Sequence, residues 1–152
     1  MNKIKTLAIA FGVMAFLPSV AMAEKCTVLI SELTTEYNKP NGEKIVADLL
    51  NEPGGRWEKY NQFIVLYDTT GVAVGISPDH NYQGMDLSDL QSANGVYMFK
   101  EYLKLAQAGT GGKVPSVIEW ADPASGSVIK LSGFASPLLK NKHVITCTEL
   151  AS

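Results

Sequence analysis

The sequence holds little of what catalysis and metal binding draw on. It has two histidines and two cysteines in 152 residues. His80 and His143 are isolated, with no second ligand at zinc spacing. No Cys-x-x-Cys occurs, and neither Cys26 nor Cys147 sits in a histidine-bearing motif, which argues against a zinc site or a thiol nucleophile. Asp79, Asp86 and Asp89 cluster loosely around His80 but lack the alternating oxygen ligands of a calcium loop. The run Gly75-Ile76-Ser77-Pro78-Asp79 fails as a nucleophile elbow at its last position. Near Gly109 to Lys113, Gln107 stands where a phosphate loop needs glycine, and no Ser or Thr follows Lys113. No nucleophile, metal cluster or acid–base pair is left to build an enzyme on. The chain is expected to be non-enzymatic, with no cofactor and no metal.

Excess positive charge is also missing. Lysine and arginine total 13 against 15 acidic residues, for a net charge of -2, and the pI is near 5.7. A nucleic-acid surface needs clustered cations to displace counterions, so nucleic acid is excluded as a partner. Long apolar runs are confined to the N-terminus, where Leu7 to Leu17 is uncharged but shorter than the ~20 residues of a membrane span.

That run reads as a secretory signal. Lys3 and Lys5 precede it, Pro18 and Ser19 break it, and Ala21-Met22-Ala23 supplies the small-x-small pattern read by signal peptidase. Residues 1–23 are expected to be a signal peptide and 24–152 a single exported, periplasmic domain. Ala-Glu-Lys before Cys26 is not a lipoprotein signal. In an oxidising compartment the two cysteines, near the two ends of the mature chain, are expected to form a disulfide, a reading favoured over free thiols or a catalytic cysteine.

Periodicity lays out the elements. Leu29, Leu33 and Tyr37 favour a helix over 27–38. A second helix runs to Asn51 with Asn41 as its cap and Ile45, Val46, Leu49 and Leu50 as its stripe. Phe63 to Asp68 and Val72 to Ser77, joined by Asp68-Thr69-Thr70-Gly71, read as a β-hairpin. Residues 78–93 read as a polar loop with a helical turn near Asp86 to Leu90. Val96, Phe99, Tyr102, Leu103 and Ala106 mark an amphipathic helix. Strands near 116–121, 127–136 and 142–148 close the chain. The order implies an α+β domain with an antiparallel sheet of about five strands and its helices gathered on one face.

An ordered set of short motifs resembles one family. Phe63 to Asp68 with Gly71 and Ser77-Pro78 is similar to the hairpin of single Cache sensor domains. Gly84-Met85-Asp86-Leu87-Ser88-Asp89-Leu90 with Asn94-Gly95 resembles the segment that follows. Glu119-Trp120-Ala121-Asp122-Pro123 with Gly126, Lys130-Leu131-Ser132-Gly133-Phe134, and Gly42 to Leu50 resemble the family's later strands and its helix. Ser77 and Phe134 replace a histidine and a tyrosine common in the family. The resemblance implies a PAS-like sheet with N-terminal helices packed on one face, and a pocket for an organic acid, amino acid or amine. It also implies a membrane histidine kinase or chemoreceptor as partner.

Strand alternation assigns that pocket. Phe63, Val65 and Tyr67 are expected to share a face with Ala73, Gly75 and Ser77, with Ile118 and Trp120, and with Val128, Lys130, Ser132 and Phe134. Ile64, Leu66, Val72, Val74, Ile129 and Leu131 form the core face. The candidate ligand residues are Tyr67, Ser77, Trp120, Lys130, Ser132 and Phe134, with Lys130 as the anion partner. The competing reading makes Tyr67 and Trp120 core aromatics and Lys130 a solvated lysine, on a non-catalytic structural or interaction domain whose pocket has collapsed.

Overall fold

A computed structural model describes residues 25–59, 62–122 and 124–151. The signal peptide expected over 1–23 lies outside them. Helix α1 (Cys26–Tyr37) buries Leu29, Leu33 and Tyr37, the expected stripe. Helix α2 (Gly42–Asn51) buries Val46 and Leu50. Asn41 does not cap it through its side chain. It takes a left-handed conformation, and its carbonyl accepts the Ile45 N–H at 3.0 Å. A 3-10 turn over Arg56–Lys59 leads to β1 (Phe63–Asp68) and β2 (Ala73–Ser77). The single helical turn of the next loop is at His80–Tyr82 rather than 86–90, because the Asp79 carboxylate accepts the Asn81 N–H and starts the turn there. Helix α3 (Met98–Gln107) then precedes β3 (Gly112–Lys113), β4 (Ile118–Ala121), β5 (Val128–Ala135) and β6 (His143–Leu150).

All the strands pair antiparallel in one sheet of order β2-β1-β6-β5-β3, with β4 also on β5. The sixth strand, beyond the expected five, is the two-residue β3. It meets only Phe134 and Ala135 at the far end of β5. The N-terminal helices pack on one face with Ile64, Leu66 and Ile145, as expected. Helix α3 takes the opposite face, because Phe63, Val65 and Tyr67 make that side apolar too, and its Met98, Phe99, Tyr102 and Ala106 cover them.

Two devices hold the helix layer. Cys26, in the first turn of α1, is disulfide-bonded to Cys147 of β6, with Cα atoms 5.5 Å apart and a sequence separation of 121. Both are fully buried. Asn51, the last residue of α2, donates its side-chain amide to Val74 O at 3.2 Å and accepts the Ile76 N–H at 3.0 Å. Its carboxamide thus takes the place of a neighbouring strand on the edge strand β2, where unpaired backbone invites association.

Closing so long a loop restricts the unfolded chain, so Cys26→Ala/Cys147→Ala is expected to lose about 4–5 kcal/mol of stability in the chain-entropy account, read from urea unfolding of oxidised wild type against the variant. Asn51→Leu is expected to cost about 1–2 kcal/mol through the two lost backbone partners and to promote self-association, checked by unfolding and by sedimentation velocity.

Candidate ligand site

Helix α3 lies across the sheet because its inward residues recur at three- and four-residue spacing, and the aromatic ones reach the strands below. The Phe99 ring packs against Tyr67 with centroids 5.1 Å apart and planes tilted by 59°. Tyr102 reaches farther. A Cβ added at Gly133 would come within 2.8 Å of the Tyr102 hydroxyl, so the phenol occupies the space that the glycine leaves open on β5. That hydroxyl is buried and has no hydrogen-bond partner among the described residues.

Strand register brings further polar groups to this face. Thr148 lies opposite both Phe63 and Gly133, and Thr146 opposite both Val65 and Ala135. Their hydroxyls make long bonds, Thr146 to Val65 O at 3.5 Å and Thr148 to Phe63 O at 3.4 Å. Trp120 joins them from β4, paired with Ile129. Tyr82, Leu87 and Leu90 close the side from the 78–97 loop, which is bound to the hairpin through Leu87 N–H to Gly71 O at 2.8 Å and Gly84 N–H to Ala73 O at 2.7 Å. Burial pushes the Tyr67 phenol well above its ordinary value. It does the same to Tyr102, where the nearby Tyr67 adds to the shift. Both rings are therefore neutral hydroxyl groups.

The six residues marked from sequence do not share one face. Tyr67 and Trp120 lie beneath α3. Ser77, Ser132 and Phe134 lie on the side of the N-terminal helices, and Lys130 is on that same side and exposed. Two register facts cause the division. Phe134 pairs with Cys147, and Cys147 with Ile64, so the even-numbered residues of β5 share the face of Ile64 and not that of Tyr67. On β2 the register shifts between Leu66 and Tyr67, which pair with Gly75 and Ala73. The irregularity turns Gly75 and Ser77 away from Ala73. A Cβ on Gly75 would come within 2.9 Å of Ala47 Cα, so its smallness seats α2 on the sheet and leaves no pocket.

The buried Ser77 hydroxyl, on the side of the N-terminal helices, has no hydrogen-bond partner among the described residues, whereas several other expected or alternative site residues meet structural neighbours. Lys130 has Glu119 directly across the strand pair. Phe134 borders a groove of about 380 Å³ between α1 and the end of β5. Trp57 is buried against the N-terminal helices and so staples them, while Tyr60 lies outside the described residues. His80 binds Ile76 O through Nδ1 at 2.9 Å and Glu58 through Nε2. His143 joins the Tyr37 hydroxyl at 2.7 Å and faces Glu43 at 3.4 Å, tying β6 to α1 and α2. Sequence reasoning placed Tyr102 on the apolar stripe of an amphipathic helix and marked neither it nor Thr146, Thr148 or Gly133 as a site residue. Only the tertiary position of the phenol distinguishes it from any other inward aromatic.

Several solved structures resemble this one. A methyl-accepting chemotaxis protein from Vibrio parahaemolyticus is 19% identical over 81% of this chain and 79% of its own, with TM-score 0.53. A periplasmic sensor domain of a chemotaxis protein is 15% identical over 99% and 94%, with TM-score 0.59. A Cache chemosensory domain described for carboxylic acid recognition is 14% identical over 87% and 95%, with TM-score 0.61. This chain has the Cache fold. The likeness is one of structure, since no protein-family model and no curated protein matches the sequence. Within the Cache fold, the covered face described above is the surface of the sheet opposite the N-terminal helices.

The buried phenols give an alkaline signature. Below pH 10, the ordinary tyrosine value, Tyr67 and Tyr102 are protonated in both folded and unfolded chains. Above it the unfolded chain releases protons that the native chain keeps, so stability falls as pH rises. In a spectrophotometric titration at the phenolate band, these two tyrosines are expected to ionise only together with loss of the native circular dichroism. Ionisation of every tyrosine in the still-folded protein would contradict their burial.

Proposed function

We propose that this chain is a non-catalytic sensory module of the periplasm, which binds a small molecule between α3 and the sheet and conveys its bound state to a membrane histidine kinase or chemoreceptor. The observation that carries this reading is the Tyr102 hydroxyl. A buried hydroxyl without a partner costs about 1–3 kcal/mol, and such groups persist where a ligand or an internal water uses them. The Cys26–Cys147 disulfide supports an oxidising compartment. A protein of the same fold is described for carboxylic acid recognition, so a small ligand suits the architecture. Tyr67 and Trp120 remain the proposed walls of the site. Ser77, Lys130, Ser132 and Phe134, on the other face, leave it.

One observation favours a second reading, a structural or interaction domain with a collapsed pocket. Tyr102 fills the space above Gly133, and Tyr67 is packed on Phe99.

The two readings part in a thermal-shift screen of the folded, oxidised protein against organic acids, amino acids, amines and neutral analogues. The sensory reading expects a hit whose midpoint shift shrinks in Tyr102→Phe, with affinity falling about three- to tenfold for one lost hydrogen bond. Without ligand, Tyr102→Phe is expected to equal or exceed wild-type stability, since it removes an unpartnered hydroxyl. A screen with no hit leaves the collapsed domain as the better reading.

A further inference from the structure

The polar groups on the α3-covered face carry no charge. Tyr67, Tyr102, Thr146 and Thr148 present hydroxyls and Trp120 an indole N–H, all on buried residues. The buried Asp and His side chains among the described residues are engaged elsewhere. Asp122 accepts the Ala124 N–H at 3.0 Å and the Ser125 hydroxyl at 2.7 Å, inside its own turn. His143 lies on the opposite face with Tyr37. Lys130, the cation that a carboxylate would require, is exposed on that opposite side as well. An anion or ammonium placed under α3 would lose its hydration without gaining an opposite charge, a penalty that grows steeply in an apolar site. A neutral acceptor loses far less and gains a donor, the unpartnered Tyr102 hydroxyl.

From this arrangement we infer that the site selects an uncharged small molecule: an apolar body bearing one carbonyl-type acceptor, received by the Tyr102 hydroxyl, in preference to an organic acid, amino acid or amine. This rests on the reading that the face binds a ligand, and it narrows the ligand's chemistry. The apolar body would lie beside Phe63, Val65, Phe99 and Trp120, all in the cluster under α3, and its acceptor would face the Tyr102 hydroxyl, which itself fills the space over Gly133. Selectivity arises from the missing counter-charge more than from shape.

The test uses amide, carboxylate and amine on matched carbon skeletons: propanamide, propionate and propylamine; isobutyramide, isobutyrate and isobutylamine; benzamide, benzoate and benzylamine. Binding to the oxidised protein at neutral pH is measured by ligand-observed NMR and titration calorimetry. The amide of at least one set is expected to bind about tenfold or more tightly than its charged partners. Tyr102→Phe, with its fold verified by circular dichroism, is expected to reduce that preference about three- to tenfold. A carboxylate that binds more tightly than its amide, and loses that advantage in Lys130→Met, overturns this inference while leaving small-molecule sensing intact. So does an amine preferred in its set and weakened by Asp122→Asn. Binding of no amide also overturns it, and the wider thermal-shift screen then decides separately whether the face binds any ligand.

Discussion

Strand β6 is the constraint on which the rest depends. It runs between β1 and β5, and its pairing with each sets which side chains of the whole sheet meet. Because side chains alternate strictly, a displacement of one residue on either side would exchange the two faces of a neighbouring strand. In the observed register Cys147 stands between Ile64 and Phe134 and faces the N-terminal helices, while Thr146 and Thr148 face α3. The disulfide reinforces this choice. Cys147 can reach Cys26 of α1 only from the helix-side face, so the covalent link and the register require one another.

The two faces of the sheet are used in different ways. On the helix side, contacts are close and tethered: Gly75 admits the backbone of α2, Asn51 completes the edge of β2, and His143 joins Tyr37 of α1 while facing Glu43 of α2. These arrangements seat the N-terminal helices on the sheet. The α3 side is built from aromatic rings and hydroxyls, held under a loop whose backbone is bonded to the hairpin. Its Tyr102 phenol oxygen is buried with no hydrogen-bond partner among the described residues. Departures from full hydrogen bonding in a native core mark places where composition has been governed by something besides stability.

Electrostatics distinguishes this face from an anion receptor. A carboxylate site built into a low-dielectric interior needs a fixed cation or several convergent N–H donors, because the cost of dehydrating the anion must be offset within the site. Here the cation is exposed on the other surface with Glu119 across from it, and the groups that remain are neutral hydroxyls and an indole. Fold similarity cannot decide this point, since one architecture hosts many chemistries through its side chains.

Local pattern determined much of the protein. The stripes at Leu29, Leu33 and Tyr37 and at Phe99, Tyr102 and Ala106 specified helices, the hairpin followed from β-branched runs around Asp68-Thr69-Thr70-Gly71, and the two cysteines identified their own partner because only two exist. Those features are legible because they depend on neighbours within a few residues or on simple counting. The relative placement of strands was not legible. Alternation told that Lys130, Ser132 and Phe134 share a face, and also that Tyr67 shares one with Phe63 and Val65, but nothing local states whether those two faces are the same. That depends on the register across β6 and on the irregularity opposite Leu66 and Tyr67, both set by packing between residues far apart in the chain. Which residues meet at the candidate site was therefore a decision of the tertiary structure.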